Sequence, residues 1–186
     1  MNNGEQIFQK QNSEDNINKL IVQRVLYSKA KRLQSLLLII SVLLIIFVIF
    51  SKIFSYNYEE NKFYIFFSVI IIPIELILQY YIDKYKRKAA SIQEEFDINV
   101  FGIPKNETLN LSIIDLYEFN DYLIRTEKNV NNATDWYPKE IINIKNSTAV
   151  LLCQIENVLY DKNLRKKYNK LLYFLFFFFN YNFVCC

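Results

Sequence analysis

Histidine is absent from this 186-residue sequence, and only two glycines, three prolines and three cysteines occur. Each scarcity closes off some chemistry. Without histidine there is no Ser-His-Asp or Cys-His catalysis, no histidine-ligated zinc and no ordinary proton shuttle at neutral pH. Gly4 and Gly102 are too few for a phosphate-cradling loop or a dinucleotide-binding turn. Cys153, Cys185 and Cys186 cannot build a disulfide framework or a four-thiolate zinc site. A net charge of +3 is too small to point to a DNA or RNA polymer as partner. Nothing calls for a metal or another cofactor. What is abundant is apolar: 52% of residues are hydrophobic and 17% aromatic. Phe, Tyr, Ile, Asn and Lys recur so often that AT-rich coding bias explains part of it, and single Asn or Lys residues carry little weight.

The apolar residues are concentrated. Residues 33–51 contain no charge, and residues 63–82 contain one, Glu75. Each run is long enough to cross a hydrocarbon layer of about 30 Å at about 1.5 Å per residue. More than thirty mostly polar residues precede the first run and no small-residue cleavage site follows it, which argues against a signal peptide. Lys29, Lys31 and Arg32 precede the first run, and Lys84, Lys86, Arg87 and Lys88 follow the second. Basic flanks stay cytoplasmic, so both ends of the hairpin, and the N-terminus, are expected in the cytoplasm. Tyr56, Tyr58, Tyr64, Tyr80 and Tyr81 fit interfacial positions.

The expected organisation is an all-α membrane protein in four parts. Residues 1–32 form a cytoplasmic arm and amphipathic helix, polar and mobile to about Asp15 and then apolar at Ile17, Leu20, Ile21 and Val25, with Ser28 on the same face. Residues 33–82 form the transmembrane hairpin. Residues 83–170 form a mainly helical cytoplasmic region, nearly neutral with 14 basic and 13 acidic residues. Residues 171–186 read as a third span cut short, since the run is only about fourteen residues against the twenty or so that a crossing needs.

Beyond the second run, Leu78, Ile82, Tyr85, Ala89, Ile92 and Phe96 alternate in steps of four and three, the period of a heptad seam. The second membrane helix is therefore expected to continue as a stalk to about Asp97, with Tyr85, Ala89, Ile92 and Phe96 as a stripe for self-association. Gly102 and Pro104 break it. Ser112 and Asp115 signal a helix start, with Ile113, Leu116, Phe119, Tyr122 and Leu123 as its face. Asn129, Asn131 and Asn132 mark a polar loop. Residues 146–148 can cap a last helix with Leu151, Ile155, Val158 and Leu159 on one side.

Glu75 is the sharpest single residue. A carboxylate within a span costs a few kcal/mol unless it is protonated, paired or wet. It sits roughly 12 Å from Asp83 along the helix. It reads equally as a pore-lining group or a neutral helix-packing one, with Pro73 freeing a carbonyl nearby. Glu94, Glu95 and Asp97 splay on one helix turn and read as a solvated face. Trp136 and Tyr137 before Pro138 can stack on a base or anchor packing. Lys86, Arg87, Lys88, Arg125 and Arg165 are basic candidates for an anionic ligand, although juxtamembrane lysines already serve topology and lipid contact. Asn-x-Ser/Thr sequons at Asn106, Asn110, Asn132 and Asn146 fall on the cytoplasmic side and read as chance. Cys185-Cys186 imitates a lipidation signal. Cys153 reads as packing.

Five segments in order around the hairpin, QRVLYSKAK at 23–31, IQEEFDINVF at 92–101, DWYP at 135–138, CQIEN at 153–157 and YDKNLRKKY at 160–168, give a collective likeness. The sequence resembles the SMODS-associated four-transmembrane effector family of CBASS-type antiphage systems. The likeness covers roughly residues 16–172. It implies a pore-forming effector of the bacterial inner membrane, activated by a cyclic oligonucleotide from a neighbouring nucleotidyltransferase and acting as a homo-oligomer in the bilayer. It implies no enzymatic activity. Members of that family carry a second membrane hairpin, so the Phe-rich ending here suggests a truncated or frameshifted product. Two other classes stay open. One is a two-span sensor or scaffold that binds a partner through its cytoplasmic helices. The other, less favoured, is a membrane enzyme using Asp or Glu.

Overall fold

The computed structural model describes residues 3–54, 61–104, 114–126 and 133–184. In chain order they form α1 (Asn3–Gln11), α2 (Glu14–Phe54), α3 (Asn61–Phe101), α4 (Leu116–Arg125), a 3-10 turn (Lys139–Asn143) and α5 (Asn146–Val184). No strand occurs among the described residues, and the chain is an all-α membrane protein. Tyr56, Tyr58, Asn106, Asn110, Ser112, Ile113, Asn129, Asn131, Asn132, Cys185 and Cys186 lie outside the described residues. The chain divides into two compact units, Gln11–Thr134 and the two terminal stretches that flank it.

In the central unit, α2 and α3 are both 41 residues long and run far past the apolar segments. Ser13 starts α2, its carbonyl accepting from the Ile17 amide at 2.9 Å. Glu14 and Asp15 occupy the first turn, where the helix dipole favours negative charge. The two helices pack antiparallel and in step. Ser41 bonds Glu75, and Gln23 bonds Gln93, so eighteen residues separate the contacts on each helix, about 27 Å at the helical rise. Pro73 lies inside α3 without ending it. Gly102 ends it: with φ of 66° it takes the left-handed conformation that L-residues avoid, and the Ile103 amide closes back on the Ile98 carbonyl at 3.2 Å. The stalk thus runs one turn beyond Asp97.

The stretch Glu14–Phe47 has a mean hydropathy of 2.0 over its most apolar window, and only 6% of that window is buried. A helix of this kind in a soluble core would be mostly covered by protein. Leu36, Ile39, Leu43 and Phe50 on α2, and Val69, Ile72, Leu76 and Ile77 on α3, are all exposed.

Where the helices leave the apolar segments, a core forms from Val22 and Leu26 of α2, Ala89 and Ile92 of α3, and Tyr122 of α4, flanked by Val25, Tyr85, Ile114, Phe119 and Leu123. This corrects three expectations. Ala89, Ile92 and Phe96, read as a self-association stripe, are buried within one chain, and Tyr85 packs at the edge of the same cluster. The heptad period is real, but its partners are α2 and α4. On α2, Val22, Leu26 and Ala30 join Leu20 and Ile21 in the core, while Ser28 is exposed. A third helix buries a wider arc of α2 than a two-helix pairing would. On α4, Leu116 points away from the core.

Asp115 caps α4, its side chain accepting from the Glu118 amide at 2.7 Å. Ten residues are too few for a stable isolated helix, so α4 depends on docking.

In the terminal unit the N-terminal arm is α1, not a mobile tail. Ile7 is buried, and Gly4 lies against the carbonyls of Ile141 and Ile144. A polar segment gains order by this one apolar anchor and by a close backbone approach that only glycine permits. Asp135 adopts a positive φ of 53° before Trp136-Tyr137-Pro138. Tyr137, Ile141, Ala149 and Cys153 are buried. Leu151, Ile155, Val158 and Leu159 of α5 are exposed, so the buried side of that helix carries its small residues instead.

Candidate functional site

Glu75 lies on the face of α3 turned toward α2, half-buried. The Ser41 hydroxyl is 3.2 Å from its carboxyl oxygen and 3.0 Å from the Leu37 carbonyl. A hydroxyl has one proton and two lone pairs. The hydroxyl proton is shared between the Glu75 carboxyl oxygen across the hairpin and the Leu37 carbonyl one turn back on its own helix. On the same two helices Ile40, Leu43, Leu44, Phe47 and Ile71 line an open apolar groove of about 250 Å³.

Beyond the apolar segments α4 joins the stalk through a polar junction that sequence reading did not assemble. Lys88, almost fully buried, is ion-paired with Glu118. The Tyr122 hydroxyl donates to the same carboxylate at 3.3 Å. The Lys29 ammonium sits 4.3 Å from the Tyr122 ring centroid and 5.8 Å from that of Tyr85, a cation–π arrangement. Burial, then the negative charge of Glu118, pushes the Tyr122 phenol up to about 12. Farther along, Gln23 donates to Gln93 at 3.1 Å and Tyr27 donates to the same oxygen at 3.3 Å.

The basic candidates for an anionic ligand divide. Lys88 is committed to Glu118. Arg125 pairs with Asp121 at 2.7 Å and Arg165 with Asp161 at 2.8 Å, both on helix surfaces where such pairs exchange freely. Tyr137 is fully buried and accepts from the Asn157 amide at 2.9 Å, so its ring is packed and not offered to a base. Trp136 is half-buried beside it. Arg125 belongs to the central unit, whereas Trp136, Tyr137 and Arg165 belong to the terminal one.

The family model for the SMODS-associating 4TM effector domain matches residues 5–185. The chain belongs to this effector family. A relative from Bacillus cereus strain VD146, named "Probable CBASS effector molecule", is 31% identical over 173 residues. That match takes in 90% of this chain and 58% of the relative, so the chain spans little more than half the relative's length. No solved structure matches.

For a family defined by its membrane helices, sequence alone pointed to Glu75, because a charge inside an apolar run is visible by eye. It did not point to Ser41, since serine is unremarkable in a span. Nor did it pair Lys88 with Glu118, thirty residues apart across segments with no shared period. The available signal was Glu118 itself, a carboxylate one turn before Tyr122 at the border of the packed arc of α4.

Proposed function

We propose that this chain is the membrane effector of a CBASS-type antiphage system. In this reading α2 and α3 cross the bacterial inner membrane as a hairpin with the N-terminus in the cytoplasm. On activation by a cyclic oligonucleotide, copies assemble and breach the membrane, and the chain carries no enzymatic step. The observation that supports it most is the pairing of family membership with two long helices that each carry an apolar run and whose described residues meet through the polar pair Ser41 and Glu75. Such a pair tolerates lipid while neutral and attracts water and cations once ionised. Pro73 beside it removes one backbone hydrogen bond and gives α3 a point of bending.

The cytoplasmic ends would carry the signal. α3 is continuous from Asn61 to Phe101, so a change of its cytoplasmic part is transmitted as rotation or tilt to Glu75. A ligand drives such a change only by its differential affinity for the two states. Arg125 and Arg165, each held by an exposed helix-surface ion pair, are the candidate ligand contacts. Self-association would use surfaces other than the buried stripe.

The test is expression in bacteria together with the cyclic-oligonucleotide synthase, reading membrane potential with a voltage-sensitive dye. Depolarisation that Glu75→Gln weakens and Glu75→Leu abolishes is the expected result. Potential that stays intact under activation removes the pore reading and leaves a two-span sensor.

A further inference from the structure

The outer face of α4 has no partner among the described residues. Leu116, Tyr117 and Ile124 are 82–84% exposed. A single exposed leucine is ordinary on any protein. These three are not scattered, because at 100° per residue they share one wedge of the helix, with Asn120 between them. The adjoining arc, Phe119, Tyr122 and Leu123, packs on the stalk, and the charged residues Glu118, Asp121 and Arg125 gather in a narrow third strip.

The contacts of α4 set its level. Tyr122 lies beside Lys29, four residues before the first apolar run, and Glu118 beside Lys88, six residues after the second. At the helical rise these attachment points are about 6 and 9 Å from the ends of the two runs. Headgroups occupy about 5–8 Å on each side of the hydrocarbon. The exposed Lys31, Arg32, Lys86 and Arg87 stand at the same level, where they draw anionic headgroups. The strip of charge on α4 is largely neutralised by its own pairs, Lys88 with Glu118 and Arg125 with Asp121.

We infer that α4 is an interfacial helix whose Leu116, Tyr117 and Ile124 face rests in the headgroup region of the cytoplasmic leaflet. The partner is the lipid surface. One apolar face grips the stalk and the other grips the membrane, which locks the stalk at a set depth and makes its motion responsive to the bilayer. This rests on the reading of α2 and α3 as a membrane hairpin.

The test uses the full chain in vesicles of phosphatidylcholine and phosphatidylglycerol. Trp136→Phe gives a background free of tryptophan. Leu116→Trp and Ile124→Trp then place a reporter on the face, at positions exposed enough to accept it without disturbing the fold. Loss of emission with lipids brominated high on the acyl chain, a blue shift, and protection from acrylamide are expected at both positions. Quenching by acrylamide alone puts the face in water and overturns the inference. Protection from both quenchers means that protein, such as a second copy, covers the face, and overturns it too. Leu43→Trp in the same background reports the hairpin separately. If brominated lipid does not quench it, the hairpin reading fails, and α4 is not the cause.

Discussion

Removing Glu118 strands a buried cation. The Lys88 side chain is 10% exposed and that of Glu118 28% exposed, so their pair lies mostly out of water. Breaking a fully buried pair from one side costs about 3–5 kcal/mol, and partial exposure of Glu118 lowers this to about 2–3 kcal/mol. The same substitution takes away the acceptor of the Tyr122 hydroxyl. Because α4 is too short to persist alone, the loss falls on its docking. Glu118→Ala should therefore raise the opening equilibrium of α4 about 30- to 100-fold, at about 1.4 kcal/mol per factor of ten. Amide hydrogen exchange in nanodiscs measures this directly, with faster exchange across Phe119–Arg125 and little change on the apolar stretch of α3. The double variant Lys88→Met/Glu118→Leu removes both charges and keeps the volume apolar. It should return exchange close to the original rate, because two matched apolar groups replace a desolvated pair at little net cost. The reasoning is refuted if Glu118→Ala changes α4 exchange by less than about threefold, or if the double variant opens α4 as far as the single one.

Other consequences are as specific. A Cβ on residue 4 would lie 1.9 Å from the Ile141 carbonyl oxygen and 2.8 Å from that of Ile144, so Gly4→Ala should detach α1 at a cost above about 2 kcal/mol. Thermal unfolding and exchange at Ile7 report it, and an unchanged profile would mean that α1 does not dock there. The Tyr122 phenol has a folded value raised above its unfolded one, so the folded state holds its proton more tightly. Its contribution is whole below about pH 10 and is lost as pH rises through about 12. An ultraviolet difference titration against Tyr122→Phe should show one tyrosine ionising last; a step at the ordinary tyrosine position would contradict its burial.

Much of the architecture was legible from local pattern. The two apolar runs, the charge at Glu75, the stop at Gly102 and the continuation of each helix past its run all depend on residues adjacent in sequence or one helical turn apart. The heptad spacing from Leu78 to Phe96 correctly marked a packed seam. What spacing cannot carry is the identity of the partner. Ala89 and Ile92 would show the same period facing a second copy or facing Val22 and Leu26. The face of α5 shows the converse: Leu151, Ile155, Val158 and Leu159 have the right period yet stand exposed, while the small residues Ala149 and Cys153, the latter read as packing from the sequence, are buried. Small residues allow close approach, and close approach buries them more completely than their hydrophobicity suggests.

Sequence by itself determined that the chain is an all-α membrane protein and to which effector family it belongs. Those properties follow from composition and from periods of three and four residues, which each segment carries alone. Only the tertiary structure decided that α4 fills the groove of the stalk, that Ser41 meets Glu75 across the hairpin, and that Lys88 is neutralised by Glu118 instead of being free for a ligand. These are contacts between side chains thirty or more residues apart. Their energies come from desolvation and geometry at the meeting point, and neither is written in the neighbourhood of any one residue.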